Sequence, residues 1–523
     1  MMRVNNKKGT TKFRKLKILF VAAEVAPFSS VGGLSQVMYF LSRALIKLGH
    51  DVRIFTPKFG LIDEKKYPTT MEVNQLSVPT GHQEDDHPKE LICNVKLWIG
   101  GGSRDPLVYF LENREYYEQR ANVYQYQDDH VRFALLSRGA IEWLLKEKWT
   151  PDVINASDWH TGYLVNYLRT EYKDHVKLKN VGLVFSIHNL PYQGSFDYKY
   201  ASEIDFDDGK SKLASFFDPR LQKQNSVKRG IMYADVVNTV SEKYAQEIMK
   251  PEFGEGLDQL LREVRTKVFG ILNGLDYVEF NPKIDKIIYK NFSVSNLDDR
   301  QENKRDLQRE FNLPEDADIP LLSIEGRLTG QKGIELLEEV MPILLKEHRI
   351  QFIAMGEPDS NARHFFTKLE KDFPKQVSTH LMANFTLPRK IFAGSDIFLM
   401  PSAYEPGGIT CIEALRYGSI PVARATGGLS DTIDDYNPKN NTGYGFTFKN
   451  YNTWALYGAL MRALEYYKNP RIWRGLVRRA MLKDFSWEHA AVKYSELYLR
   501  AIKFKSETLE DNPYPAYTTM TYS

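Results

Sequence analysis

Short apolar runs alternate with helical periodicity, twice over along the chain, and this pattern constrains the fold more than any other feature. Ile18-Leu19-Phe20-Val21 leads into a loop carrying Pro27, Gly32 and Gly33. Leu34, Val37, Leu41, Leu45 and Leu48 then recur at helical spacing until Gly49 stops the helix. Val52-Arg53-Ile54-Phe55 closes this strand-helix-strand crossover, and Val153-Ile154, Val181 to Phe185 and Val236-Val237 read as later strands of the same sheet. A second series begins near residue 273, with runs at Leu321 to Ile324, Phe352 to Met355, Ile397 to Met400 and Ile420 to Ala423. Each leads into a polar or glycine-bearing loop and then a helical stretch. The expectation is an α/β chain with two doubly wound domains, whose ligands bind at the carboxyl ends of the strands.

Composition narrows the partners. The chain has 523 residues with 70 Lys+Arg against 67 Asp+Glu, a net charge of +3. Such a balance speaks against nucleic acid, which calls for a basic stripe. Two cysteines, Cys93 and Cys411, make neither a disulfide framework nor a four-thiolate metal site. No run approaches the roughly 20 apolar residues that span a bilayer, and the run from Ile18 to Ala23 is too short for a signal-peptide core. A cytoplasmic chain without a membrane partner is expected.

The unusual residues gather in loops after the apolar runs. Glu405-Pro406-Gly407-Gly408-Ile409-Thr410 opens a helix, and glycines before a helix leave N–H groups for an anion or simply make a tight turn. Thr426-Gly427-Gly428-Leu429 repeats the arrangement after the next strand. Gly326-Arg327 with Lys332-Gly333 fails the P-loop spacing, yet its two cations could clamp a diphosphate or simply be solvated. In the first series, His160 and His188-Asn189 follow strands, positions open to a structural or a functional histidine. Asp205-Phe206-Asp207 has metal-pair spacing but sits in a polar segment and reads as a solvated turn. There is no Cys/His cluster with zinc spacing, no nucleophile elbow and no dinucleotide fingerprint.

In combination these stretches resemble the bacterial glycogen synthase and plant starch synthase family. The resemblance rests on Glu24 to Phe28, Gly32-Gly33-Leu34, Asp158-Trp159-His160, Ile187 to Leu190, Gly270 to Gly274, Gly326-Arg327 with Gln331-Lys332-Gly333, Glu405-Pro406 and Thr426 to Leu429. It implies the GT-B fold, two Rossmann-like domains facing across a cleft, and retaining transfer of glucose from ADP-glucose to an α-1,4-glucan. The basic N-terminus over 1–16 reads as a loose arm, and the resemblance implies an acceptor-side domain over 17–272 and a nucleotide-sugar domain over 273–484. A helix over 485–505 would cross back to the first domain, and the tail over 506–523, with two Pro, few aliphatics and many Thr and Tyr, reads as irregular. Arg327 and Lys332 would hold the diphosphate, Glu405 the sugar hydroxyls, and His160 would sit beside the reacting carbon. Gly32, Gly33, Asn189, Asn273, Gly407, Gly408, Ile409, Thr410, Gly427 and Gly428 would be substrate-binding positions. No metal or other cofactor is implied.

Three positions depart from the family pattern. Ser30 stands where the family has Lys, Gln36 where it has Asp, and Gly407 where bacterial members often have Cys. Ser30 removes one positive contact to the donor's phosphates, for which Lys58 is a candidate substitute. A transferase using another nucleotide sugar or acceptor, and a non-catalytic glucan-binding protein, are the alternatives.

Overall fold

The computed structural model describes residues 4–5, 11–12, 14–194, 207–384 and 386–511. The chain divides into two compact units. The first comprises 1–240, 245–271 and 487–523, and the second comprises 241–244 and 272–486.

The first unit is built on β1 (Lys17–Val21), β2 (Asp51–Pro57), β3 (Thr69–Pro79), β4 (Glu90–Trp98), β5 (Leu107–Glu112), β6 (Val153–Ser157), β7 (Gly182–Ile187), β8 (Val236–Thr239) and β9 (Val268–Gly270). They form one sheet in the order β9-β8-β7-β6-β1-β2-β5-β4-β3. Every pairing from β9 to β5 is parallel, and β6 and β7 are buried along their whole length. This is the pattern of strands covered on both faces by helices. Among those helices are α1 (Gly33–Lys47), α2 (Asp129–Lys146) and α3 (Gly162–Arg169). The apolar positions Leu34, Val37, Leu41 and Leu45 of α1 are all buried, and Gly49 beyond its end takes a positive φ of 97°.

Sequence reasoning missed the far edge of this sheet. β3–β4 and β4–β5 are antiparallel, so the sheet is mixed. β3 buries only two of its residues, Leu76 and Val78, so its composition lacks the continuous apolar run that marks the central strands.

The second unit is built on β10 (Leu321–Glu325), β11 (Gln351–Met355), β12 (Val377–His380), β13 (Ile397–Met400), β14 (Ile420–Arg424) and β15 (Phe446–Phe448). Their order is β12-β11-β10-β13-β14-β15, all parallel. The direction of winding reverses between β10 and β13, the place where a doubly wound sheet leaves a crevice at its carboxyl edge. Helices α4 (Ile334–Glu347), α5 (Ile409–Arg416) and α6 (Gly427–Thr432) follow β10, β13 and β14.

The last helix, α7 (Trp487–Asp511), belongs to the first unit. His50 Nε2 meets Ser495 Oγ at 2.9 Å, Asn238 Nδ2 donates to the Tyr494 hydroxyl at 3.1 Å, and Tyr498 donates to Asn155 Oδ1 at 3.2 Å. The irregular tail expected from 506 is corrected as far as 511. Lys503 and Glu507 form an i,i+4 pair at 3.2 Å, and no proline interrupts the helix before Pro513. Residues 512–523 lie outside the described residues.

Two further expectations change. The arm does not stay loose to residue 16, because Leu16 is fully buried and its N–H donates to His50 Nδ1 at 3.1 Å. Asp205 lies outside the described residues, but Asp207 is no solvated turn. It is buried and accepts two bonds from the equally buried Arg229, at 2.9 Å and 2.7 Å. Among the described residues, no helix is long and apolar enough to cross a membrane.

Candidate active site

In the second unit the loops after β10, β13 and β14 lie side by side, because those strands are neighbours in the sheet. The first loop runs from Gly326 to Gly333 and ends in a short 3-10 turn, Gly330–Lys332. Gly333 has φ 71°, and a Cβ there would collide with the Pro401 carbonyl oxygen. Glycine therefore lets the β10 loop pack against the β13 loop. Ala403 N–H donates to Gln331 O at 2.9 Å across the same contact.

This packing brings Lys332 Nζ to 2.6 Å from Glu405 Oε2, and Ser402 Oγ donates to the same oxygen at 3.1 Å. Both side chains of the pair are largely buried, at 15% and 10% exposure. Arg327 lies on the exposed part of the loop. Beside Glu405, Gly408 adopts φ 61° and caps α5, with no side chain bonded to the helix N-terminus. Gly407 and Gly408 are buried, while Ile409 and Thr410 in the first turn are partly open.

Gly427 and Gly428 brace the Glu405 loop. The Gly428 N–H donates to Glu405 O at 2.9 Å and Pro406 O at 3.0 Å. Gly427 has φ 44°, and a Cβ there would strike the Glu405 carbonyl oxygen. The turn lies directly under the Glu405 loop and holds it. Asn273 is buried in the same unit with Oδ1 unpartnered.

Sequence reasoning passed over Glu325 at the end of β10. One of its oxygens, Oε2, is buried without a partner, and burial pushes its carboxyl up to about 7 despite Lys332 nearby.

In the first unit, β6 is followed by Asp158, whose φ of 57° turns the chain into the short helical turn Trp159–His160–Thr161. Asp158 Oδ1 accepts the His188 N–H at 2.7 Å and so ties the ends of β6 and β7 together. His160 is buried among aromatic rings. Tyr124 stacks on it at 4.8 Å, Phe133 meets it edge-on at 4.7 Å, and Trp159 lies at 4.2 Å. Burial, with Arg132 and His188 adding to it, lowers its pKa to about 3, so the ring is neutral throughout the working range of pH. His188 is likewise lowered by burial, to about 4. His160 Nδ1, His188 Nε2 and Asn189 Oδ1 are all buried without a partner. Buried polar atoms are rarely left unpaired, and four candidate residues of the two units, with Asn273, share this condition. Tyr124 and Phe133 were missed because their role is visible only as contacts on a histidine remote in sequence.

Gly32 and Gly33 are exposed and start α1, again with no side-chain cap. Glu24 faces them. Its Oε2 accepts the Val31 N–H at 2.5 Å, and burial raises its pKa to about 7 against further hydrogen bonds from Gly32 and Ser35. Ser30 Oγ is 2.7 Å from Ser35 Oγ. Lys58 does not substitute for the missing lysine. It is buried, donates to Ile62 O at 3.3 Å and lies 3.2 Å from Glu64 Oε1.

A carboxyl raised on folding stabilises the fold below its unfolded pKa and loses that contribution as pH rises through the folded value. Relative to the wild type, Glu24→Gln therefore gains up to about 3 kcal/mol between about pH 4.5 and about pH 8. Denaturation midpoints followed across this range test it, and midpoints that move in parallel would refute it.

The family model described as starch synthase catalytic domain matches residues 17–263, and that of glycosyl transferases group 1 matches 304–475. The glycogen synthase of Desulforudis audaxviator is 37% identical over 505 residues, covering 94% of this chain and 98% of the relative. That of Clostridium perfringens is 39% identical over 494 residues, covering 94% and 99%. Among solved structures, the catalytic domain of starch synthase IV from Arabidopsis thaliana, bound to ADP and acarbose, superposes with a TM-score of 0.81 at 31% identity, covering 94% of this chain and 100% of that one. A sucrose-phosphate synthase from Thermosynechococcus elongatus, TM-score 0.56 at 18% identity over 94% of this chain and 100% of that one, shares the fold. Similarity of this extent over both units means that the chain belongs to the glycogen synthase and starch synthase family, GT-B glycosyltransferases that extend a glucan.

Proposed function

We propose that the donor is ADP-glucose, that the acceptor is the non-reducing end of an α-1,4-glucan, and that transfer retains the anomeric configuration. The single observation that carries the reading is the buried Lys332–Glu405 pair at the winding reversal of the second unit, beside the uncapped N-terminus of α5. Breaking the bond between C1 and the phosphate oxygen builds positive charge on the sugar and negative charge on the departing diphosphate. Lys332, Arg327 and the N–H groups from Gly408 to Thr410 stabilise the diphosphate without reorganising. Glu405 accepts from the sugar hydroxyls. The neutral His160 imidazole carries one ring proton, which it offers to a hydroxyl of the transferred sugar. The new C1–O4 bond forms on the face from which the diphosphate leaves, and the acceptor's hydroxyl proton passes to a leaving phosphate oxygen. ADP and acarbose in the Arabidopsis relative support both substrate classes.

Side chains and a helix end supply the charge stabilisation in this reading, so chelation of metal ions should leave the rate unchanged. One observation favours a second reading, in which the nucleotide differs. Ser30 carries no charge and Lys58 is occupied by Glu64, so neither supplies the cation of the family pattern there. Incubation with ADP-, UDP- or GDP-glucose and a malto-oligosaccharide, with and without EDTA, distinguishes them. Chain extension with ADP-glucose at an undiminished rate in EDTA is the expected result. Turnover with another donor alone would sink the ADP-glucose assignment.

A further inference from the structure

The hairpin between β3 and β4 carries a group of side chains that glucan transfer does not use. Its loop reads Thr80-Gly81-His82-Gln83-Glu84-Asp85-Asp86-His87-Pro88-Lys89. The loop is well braced. Thr80 N–H donates to Lys89 O at 2.9 Å, Thr80 Oγ1 to Pro88 O at 2.7 Å, and Phe216 N–H to Thr80 O at 3.0 Å. The bracing folds the loop back, so that one donor atom each from His82, Glu84 and Asp86 lies within 4.8 Å of the others. His82 Nε2 is 2.5 Å from Asp86 Oδ1. His87 Nε2 stands 4.0 Å from the other oxygen of the same carboxylate.

We propose that this hairpin binds a divalent transition-metal ion of the zinc class, held by His82, Glu84 and Asp86 with His87 as the fourth ligand.

The donor set is two imidazoles and two carboxylates. Imidazole nitrogen selects zinc, copper, nickel or cobalt over magnesium and calcium, which take oxygen ligands. Four such ligands complete a tetrahedral shell. Ligands about 2.0–2.1 Å from zinc sit roughly 3.4 Å apart in that geometry, so the donors of His82, Glu84 and Asp86, already within 4.8 Å of one another, need only a small closing movement, and His87 has to move in from beside Asp86 to complete the shell. The histidines are already oriented. His82 is enclosed, with 13% side-chain exposure, and its Nδ1 lies 3.5 Å from Ser215 Oγ, leaving Nε2 turned to the carboxylates. Holding the second ring nitrogen in this way is how proteins set the tautomer of a ligating histidine. His87 stacks on Phe217 at 4.5 Å, nearly parallel. The nearest lysine of the loop does not compete, since Lys89 Nζ pairs with Asp85 at 2.9 Å. His-x-Glu-x-Asp-His is not a zinc-motif spacing, and only the turn of the hairpin gathers it. A bound ion would join the hairpin to the segment around Ser215 and Phe217.

Titration of the full chain with ZnCl2 by calorimetry, and with Co2+ by visible absorption, tests the site. One saturable equivalent per chain is expected, with the intense d–d bands of four-coordinate Co2+ bleached by Zn2+. His82→Ala and His87→Ala should each weaken binding by about tenfold or more, and Asp86→Asn guards against a packing effect of losing a ring. Glucan extension, which uses none of these residues, should be unchanged and reports that each variant is folded. Absence of saturable uptake, uptake insensitive to all three substitutions, or displacement of Zn2+ by equimolar Mg2+ or Ca2+ would overturn the proposal.

Discussion

Lys332→Ala is expected to lower kcat/KM for glucan extension by about two orders of magnitude or more, the loss of one charge-stabilising group at a developing anion. Arg327→Ala should lose a similar amount. The structure adds a distinction between the two. Lys332 lies 2.6 Å from Glu405 in a largely buried pair, whereas Arg327 lies on the exposed part of the loop. Removing Lys332 also strands a carboxylate whose remaining side-chain partner among the described residues is Ser402 Oγ at 3.1 Å, and an orphaned buried charge costs about 3–5 kcal/mol. The β13 loop should therefore loosen in Lys332→Ala. A double-mutant cycle of Lys332→Ala with Glu405→Ala should be strongly non-additive, the double variant being little worse than either single one. Near-unchanged kinetics in both lysine and arginine variants would discredit the diphosphate clamp. Full additivity would show that the ion pair has no part in it.

His160→Ala is the second change with a large expected effect, again about two orders of magnitude in kcat. Its mechanism is distinct, since the ring carries no charge. Burial among Tyr124, Phe133 and Trp159 lowers its pKa to about 3, so it cannot act as a proton-exchanging group near neutrality. In the proposed mechanism it supplies a fixed hydrogen-bonding edge. The pH profile separates this from acid–base catalysis. Above about pH 5 no limb of wild-type kcat/KM should belong to His160. His160→Asn, which keeps a neutral donor, should recover part of the rate lost in the alanine variant. An acidic limb near pH 6 to 7 that vanishes in His160→Asn would overturn the assignment.

The residues that sequence patterns mark and those that the fold employs overlap unevenly. Lys332, Glu405 and Gly408 do come together around the start of α5. Gly427 and Gly428 look identical in kind to Gly407 and Gly408, yet Gly428 gives its N–H to the Glu405 loop. A glycine pair before a helix is the same string whether it faces a ligand or a neighbouring backbone, and only the neighbouring loop decides. Lys58 shows the converse. Its position after a strand fits a substitute cation, but Glu64 and Ile62 O lie within reach in space and hold it. Glu325, Tyr124 and Phe133 carried no motif of their own, because their effect is exerted by burial and by contact with residues distant along the chain.

Local chemistry was enough for the strands and helices at the centre of each sheet. Continuous apolar runs can be satisfied only by burial on both faces, and glycine or proline marks where each run must end, so the winding is written in composition and period. Where weakly apolar strands meet at the sheet edge, and where polar atoms are paired or left waiting, no such one-dimensional rule applies. The Lys332–Glu405 bridge joins loops after two strands that are not consecutive in the chain but neighbours in the sheet, and the aromatic enclosure of His160 draws on α2 and the loop before it. These were decided by tertiary structure alone. Pairing and desolvation depend on which groups the completed fold brings within a few ångströms and shields from water, and neither quantity exists until the sheet has closed.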